Sequence, residues 1–429
     1  MYPNLYYAFR DLFGIELRGL MVVNSFGFFV AISFLIGAAL LSRELRRKGA
    51  DGLLQPTEQT MLVGEPAKPL ELITNFILGF LIGFKLGGLF TIGNALDNPQ
   101  AYIFSGAGNL LIGLLLGAGM AYMKWHEKNK QKLPTPERRT VRIWPHDRVG
   151  EFTVLALVFG LLGAKLFDIF ENWGDFLKNP AAYFTPAGLT FYGGLICAGA
   201  AIIWYAKKHR IPVRHLADAI APALMIAYAV GRIGCQVSGD GDWGIYNSAY
   251  TIDANNKVVA AQPGDYERAL GTYAPYMRSR WREYDGVPQH ASFRGPGFLP
   301  DWFFAYNYPH NVNEDGVPLA GCTDKQYCNG LPIPVFPTPL YELLAGTGLF
   351  FLLWSLRKRV RPAGGLFCLY LIVNGIERFL VETIRVNNRI DFLGMRPSQA
   401  ELIAVGLVLT GAIGWILLAR KKDASPVKM

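Results

Sequence analysis

The chain has 429 residues, 51% of them apolar and 17% charged, with a formal net charge of +9. The apolar residues fall in long blocks, as in an integral membrane protein, and the gaps between blocks leave no room for a large soluble domain. The excess of Lys and Arg sits in short loops beside those blocks, which excludes nucleic-acid binding and follows the positive-inside pattern.

In chain order, residues 1–23 read as an external segment. Met1–Leu20 lacks a basic stretch followed by an apolar core and a small-residue cleavage site, so the first span is expected to direct insertion itself. Nine transmembrane spans are predicted: Asn24–Leu41, Leu72–Leu96, Ala107–Met123, Thr153–Phe170, Leu189–Tyr205, Leu216–Gly234, Leu340–Leu356, Gly365–Val381 and Leu402–Leu418. Basic clusters follow every odd-numbered span. They are Arg43/Arg46/Arg47/Lys48, then Lys124/Lys128/Lys130/Lys132 with Arg138/Arg139/Arg142, then Lys207/Lys208/Arg210. Arg357/Lys358/Arg359/Arg361 and Arg420/Lys421/Lys422 complete the set. An N-terminus outside and a C-terminus in the cytoplasm satisfies all five.

The second and third spans resemble the fourth and fifth. Gly79-Phe-Leu-Ile-Gly-Phe-Lys-Leu86 is similar to Phe159-Gly-Leu-Leu-Gly-Ala-Lys-Leu166, and Asn98-Pro-Gln-Ala-Tyr102 to Asn179-Pro-Ala-Ala-Tyr183. Two related helical hairpins are expected, the first additional to the second. Gln131–Arg148, with its prolines and alternating charges, reads as a linker between them. The segment Asp242–Thr338, rich in Gly, Pro, Tyr and Asp with strand-like pieces such as Lys257–Ala260, is expected to form a small irregular external domain. The expected segments are thus 1–23, 24–149 (first span, added hairpin and linker), 150–241 (core, first part), 242–338 (external domain) and 339–429 (three C-terminal spans).

Cys197, Cys235 and Cys368 lie in or beside spans, where a thiol serves as a small apolar filler. Cys322 and Cys328 are six residues apart in the external segment, and on the oxidising side this spacing implies a small disulfide loop. A metal pair is the alternative, but His310 is the single nearby further ligand. No metal is expected.

Four polar constellations fall at the outer ends of spans: Asp168 with Glu171, Tyr192 with Gly193 and Gly194, Arg232 leading to Asp240, and Glu377/Arg378/Glu382/Arg385. An arginine at membrane depth costs about 2.5–3.5 kcal/mol on insertion scales, so it faces a cavity or a partner. The run Gly231-Arg-Ile-Gly-Cys-Gln-Val-Ser-Gly-Asp-Gly-Asp-Trp-Gly244 carries Arg232 into a glycine-rich turn whose backbone can approach a ligand closely. Arg378 and Glu382 are helical neighbours four apart, with Arg385 one turn on. Two arginines from different helices fit a phosphodiester through charge-assisted hydrogen bonds. The same charges also fit buried Arg–Glu pairs that lock helices together. Tyr192 alone reads as an interfacial aromatic anchor, and Glu342 alone as an acid favouring a helix N-terminus.

At these motifs the chain resembles the bacterial prolipoprotein diacylglyceryl transferases, from Asn24 to the C-terminus with the first hairpin and most of the external segment omitted. Gly231–Gly244 is similar to the family signature Gly-Arg-x-Gly-Asn-Phe-x-Asn-x-Glu followed by Gly. Phe191-Tyr-Gly-Gly-Leu-Ile196 resembles Phe-His-Gly-Gly-Leu-Ile, and Pro337-Thr-Pro-Leu-Tyr-Glu342 resembles Pro-Ser-Gln-Leu-Tyr-Glu. Arg378-Phe-Leu-Val-Glu-Thr-Ile-Arg385 resembles Arg-Phe-x-x-Glu-Phe-x-Arg. The departures are Tyr192 for His, Cys235 and Ser238 for the two Asn, Asp240 for the acid with one extra residue before Trp243, and Phe26-Gly27 for Tyr-Gly. The family has seven spans; the added hairpin makes nine.

The resemblance implies a catalytic set of Arg232, Asp240, Arg378, Glu382 and Tyr192. It implies substrate contacts from Phe26, Gly193, Gly194, Cys235, Gly239, Gly244, Glu342 and Arg385. Phosphatidylglycerol, or another anionic phospholipid, would be the donor and the lipobox cysteine of a prolipoprotein the acceptor, at the outer face of a bacterial inner membrane. The thiolate attacks the glyceryl carbon, glycerol phosphate leaves, and preorganised arginines stabilise the departing charge. No cofactor is required. Tyr192, with a reference pKa of about 10, is a poor base, so Asp240, Glu382 or the arginine field must activate the thiol. The alternatives are a non-catalytic or altered-specificity lipid-binding paralogue and, third, a transporter.

Overall fold

The computed structural model describes residues 1–93, 95–96, 102–103, 105–183, 188, 190–282, 288–324, 326–386 and 394–420. Asn98–Ala101 of the repeated motif and Lys421/Lys422 of the last basic cluster lie outside the described residues. In a bilayer the backbone must satisfy its own hydrogen bonds, and a long apolar run does so as a helix. Among the described residues each predicted span coincides with a helix. These are α1 (Ser25–Ala50), α2 (Pro69–Thr91), α3 (Leu110–Lys130), α4 (Val149–Glu171), α5 (Phe191–Lys208), α6 (Val213–Ser238), α7 (Thr338–Leu356), α8 (Gly365–Glu382) and α9 (Gln399–Arg420). Six of them, α1, α2, α4, α6, α7 and α9, are long and apolar enough to cross a membrane. The chain is a multi-pass, mostly helical protein of two compact units: Met1–Ala8, Val23–Glu44 and Arg214–Met429 form one, Phe9–Val22 and Leu45–Val213 the other.

The second unit holds the two hairpins. In the first, α2 and α3 approach through glycine: a Cβ on Gly83 would stand 2.7 Å from the Ile112 carbonyl oxygen. This is small-residue packing, which lets two membrane helices touch backbone to backbone. In the second, a Cβ on Gly193 would stand 2.5 Å from the Gly163 oxygen, and one on Gly194 2.7 Å from the Gly160 oxygen. The equivalent lysines act alike. Lys85 Nζ donates to the carbonyls of Tyr102 (3.3 Å) and Ala107 (2.9 Å) and lies over the Tyr102 ring. Lys165 Nζ donates to the Gly188 carbonyl (3.1 Å), pairs with Asp168 (2.9 Å) and lies over the Tyr183 ring. The residue opening each second helix donates its N–H to the residue before the lysine, Asn109 to Phe84 at 2.8 Å and Thr190 to Ala164 at 3.1 Å.

Gln131–Arg148 is not a plain linker: β1 (Thr57–Val63) and β2 (Glu137–Ile143) pair antiparallel in this unit, from Thr57↔Ile143 to Val63↔Glu137. The partner strands flank the whole first hairpin, so no local pattern announces the pair.

In the first unit, Asp218 near the start of α6 accepts the N–H groups of Gly364 (2.7 Å) and Phe367 (3.1 Å). It thereby supplies from another helix the capping acceptor that the start of α8 lacks. α8 and α9 meet closely, since a Cβ on Gly375 would stand 2.7 Å from the Ala404 oxygen. Between α6 and α7 the chain builds its own core from Trp243, Tyr246, Met277, Trp281, Tyr308, Leu331, Ile333 and Val335. It includes helices Asp265–Thr272 and Ala274–Arg280, and the strand-like piece read at Lys257–Ala260 is the strand Val258–Ala260, paired with Tyr250–Ile252. Cys322 and Cys328 form a disulfide, with Cα atoms 5.7 Å apart.

Candidate functional site

α6, α7 and α8 bring their polar ends together around one carboxylate. Glu342, just past the first turn of α7, is fully buried. Its Oε2 lies 3.1 Å from Arg232 Nε, and its Oε1 lies 3.2 Å from Arg378 Nη1 and 3.4 Å from Arg385 Nη1. Arg378 Nη2 also pairs with Glu382 at 2.9 Å, one helical turn on. Glu382 in turn accepts from Ser398 Oγ at 2.7 Å. Asp242 bridges two of the guanidiniums, pairing one oxygen with Arg232 Nη1 and the other with Arg385 Nη2 at 2.6 Å. Three guanidiniums thus face three carboxylates. Removing one charge from such a buried set leaves its partners uncompensated, so each member fixes the others.

The acid that meets the arginines is Asp242. Asp240, singled out in the sequence, lies in the turn and accepts the Asp242 N–H at 3.3 Å. Gly239 (φ +63°) and Gly241 (φ +97°) take the left-handed conformation that lets the chain reverse here. Burial alone would raise the Asp242 carboxyl, but Arg385 and Arg232 outweigh it and hold it at about 2. For Asp240 burial prevails, reinforced by the neighbouring Asp242 charge, and its carboxyl sits above the usual aspartate value. The turn therefore carries one aspartate locked as an anion and one that takes a proton more readily.

A second strand of chain holds the turn. Tyr308, fully buried, donates Oη to Gln236 at 2.8 Å and lays its ring 4.8 Å from that of Trp243. Val312 donates its N–H to the Ser238 carbonyl at 2.9 Å, and a Cβ on Gly239 would stand 2.9 Å from Asn311 Cβ. Below the turn, Thr338 Oγ1 donates to the Asp242 carbonyl at 2.7 Å. Gly244 forms a β-bridge with Arg385, and a side chain there would strike the Ile384 oxygen at 2.5 Å. The sequence offered no sign of the role of Tyr308; it is one tyrosine among twenty.

Other predicted residues fall as follows. Cys235 is buried, with Sγ 3.7 Å from Arg232 Nη1 and 3.9 Å from Asp242 Oδ2. Phe26 gives its backbone to α6, where a Cβ on Gly234 would stand 3.2 Å from its Cα, while the residue as a whole is exposed. Tyr192, half-buried, belongs to the other unit with Gly193 and Gly194, and those glycines pack α5 on α4. Asp168 and Glu171 close their own hairpin, Asp168 through Lys165 and Glu171 by accepting from Thr190 Oγ1 at 2.8 Å. Tyr228 and Glu377 extend the cluster: Tyr228 Oη donates to Glu377 Oε1 at 3.2 Å, and the Arg232 guanidinium lies 5.1 Å over the Tyr228 ring.

Residues 109–417 match the family described as prolipoprotein diacylglyceryl transferase. A phosphatidylglycerol–prolipoprotein diacylglyceryl transferase of Pseudomonas aeruginosa (strain LESB58) is 23% identical over 320 residues, 73% of this chain and 90% of that protein. The protein of the same name from Neisseria meningitidis serogroup A is 24% identical over 288 residues, 66% of this chain and 83% of its own. With more than two thirds of its length matched, and with its arginines and acids gathered in one cluster at the polar ends of three helices, the chain belongs to the prolipoprotein diacylglyceryl transferase family.

Proposed function

We propose that the protein transfers the diacylglyceryl group of phosphatidylglycerol to the lipobox cysteine of prolipoproteins at the outer face of the bacterial inner membrane. The observation that carries this reading is the bridge of Asp242 between Arg232 and Arg385. One anion there spans two guanidiniums with two oxygens, the arrangement a phosphodiester makes. Asp242 is the most exposed of the three acids facing the arginines, its side chain 36% accessible, so it is the one a lipid phosphate displaces. Arg378, held by Glu342 and Glu382, completes the positive field.

In the transfer the acceptor sulfur bonds to the glyceryl carbon, the carbon–oxygen bond to phosphate breaks, and glycerol phosphate leaves carrying the electron pair. The arginines stabilise the charge that builds on the departing phosphate. The thiol proton goes to Asp240, whose raised pKa suits it to that task better than Asp242. This chemistry uses side chains alone. An N-terminus outside and nine crossings complete the reading, supported by the basic clusters.

A second reading, a lipid-binding member without transfer activity, is favoured by the full pairing of the three arginines, which would by itself lock the helices. Purified protein in phosphatidylglycerol liposomes with a lipobox peptide separates the two. Transfer gives a peptide mass gain with equimolar glycerol phosphate. Lipid retention without either product supports the second reading and rejects the first.

A further inference from the structure

The stretch Phe293–Phe304 is held firmly from inside while three of its five aromatic side chains, Phe293, Phe298 and Trp302, are exposed. Fully buried Asn247 donates Nδ2 to the carbonyls of Phe293 (2.9 Å) and Phe304 (3.1 Å) and accepts the Phe293 N–H at 3.1 Å. Gly295 donates its N–H to Tyr250 Oη at 3.1 Å, and Phe304 is buried beside Tyr250 and Ala305. Against this frame Phe298 is 83% exposed, Phe293 52% and Trp302 51%. Phe and Trp are the side chains with the most area to gain from leaving water, and a fixed loop that presents a group of them marks a contact surface.

The position of the loop identifies the contact. Tyr341, in the first turn of α7, donates Oη to the Phe303 carbonyl at 2.8 Å and packs its ring 5.6 Å from that of Phe303. α7 is one of the helices apolar enough to cross the membrane. The exposed aromatics are thus tied to the end at which a span enters the bilayer, the level at which membrane proteins concentrate Trp and other amphipathic rings. The stretch carries only Arg294 and Asp301 as charges, which cancel, so its attraction to a bilayer is apolar rather than electrostatic.

We propose that Phe293–Phe304 is a membrane-interface anchor. Phe293, Phe298 and Trp302 insert into the leaflet that α7 enters, whatever the headgroup charge, and hold the segment between α6 and α7, which includes Asp242, at the bilayer surface. This holds whether or not the transfer reaction occurs. The test is Phe298→Cys carrying a polarity-sensitive fluorophore, with Trp302→Cys as a second site, in vesicles of phosphatidylcholine with or without phosphatidylglycerol. Unsubstituted protein labelled in parallel accounts for Cys197, Cys235 and Cys368. The expected result is a blue-shifted emission quenched several-fold more by lipids bearing a nitroxide near the headgroup than by aqueous iodide, equally in both compositions. Quenching by iodide alone would place the loop in water and overturn the proposal. Shielding from both quenchers would mean that protein covers the patch, and insertion confined to anionic vesicles would mean a charge-driven contact; either overturns it too.

Discussion

Asp242 and Arg385 are 143 residues apart and meet at 2.6 Å, beside the β-bridge that joins Gly244 to Arg385. Both the backbone and the side chain of Arg385 are therefore set by the glycine-rich turn after α6. If a lipid phosphate displaces Asp242, then Asp242→Asn leaves Arg232 and Arg385 without that competing anion. KM for phosphatidylglycerol is then expected to fall, and steady-state kinetics over a lipid-fraction series reads it. An unchanged KM would show that the phosphate binds elsewhere.

Glu342→Gln keeps the shape of the fully buried side chain and removes the charge on which three arginines converge. Breaking a buried pair from one side costs about 3–5 kcal/mol, so a large drop in melting temperature is expected in detergent. A variant as stable as the parent would mean that Glu382 and Asp242 suffice to balance the cluster.

Arg378 reaches Glu342 with one nitrogen and Glu382 with the other. An ammonium cannot make that fork. Arg378→Lys is expected to lower kcat/KM by about tenfold or more, since roughly 1.4 kcal/mol corresponds to each factor of ten. Full activity would remove Arg378 from the positioning apparatus.

The two aspartates of the turn predict different pH behaviour. Asp240 must be ionised to accept a proton and sits above the usual aspartate value because of burial and then Asp242, so activity is lost on acidification earlier than for an ordinary aspartate. Asp240→Asn should lower activity and remove that limb; a limb left in place assigns it to another group. Asp242, held at about 2, contributes stability that is present in full above its ordinary value of 3.8. That contribution is lost as the pH falls from there through about 2. Melting curves across that interval should show Asp242→Asn closing on the parent as the pH drops.

Tyr308→Phe deletes only the hydroxyl that donates to Gln236. Loss of a buried hydrogen bond costs about 1–3 kcal/mol. Because this bond holds the turn from outside, kcat is expected to fall while KM for lipid changes little. An equal change in both would indicate a general loss of folded protein.

Much of the architecture was legible because it depends on local properties. Runs of about 20 apolar residues make spanning helices, and each predicted span lies on a helix. The face shared by Arg378, Glu382 and Arg385 follows from helical spacing. The likeness of the two hairpins was also visible in short matched runs, down to lysines that clasp equivalent loops.

What the tertiary structure alone decided is non-local. The sequence motif puts the acid of the turn at Asp240; the left-handed Gly239 and Gly241 and the bridge to Arg385 bring Asp242 to the arginines instead. Gly193 and Gly194 stand in a motif that resembles the family's, and it is the structure that shows them letting α5 pack on α4. The β1–β2 pair and the Tyr308 clamp join residues dozens of positions apart, where no spacing rule reaches. Sequence by itself determined which segments form apolar helices and which charges they carry. Which charge meets which depends on how the helix ends and the turn are brought together, and that is decided by close packing and by the cost of leaving a buried guanidinium or carboxylate unpaired.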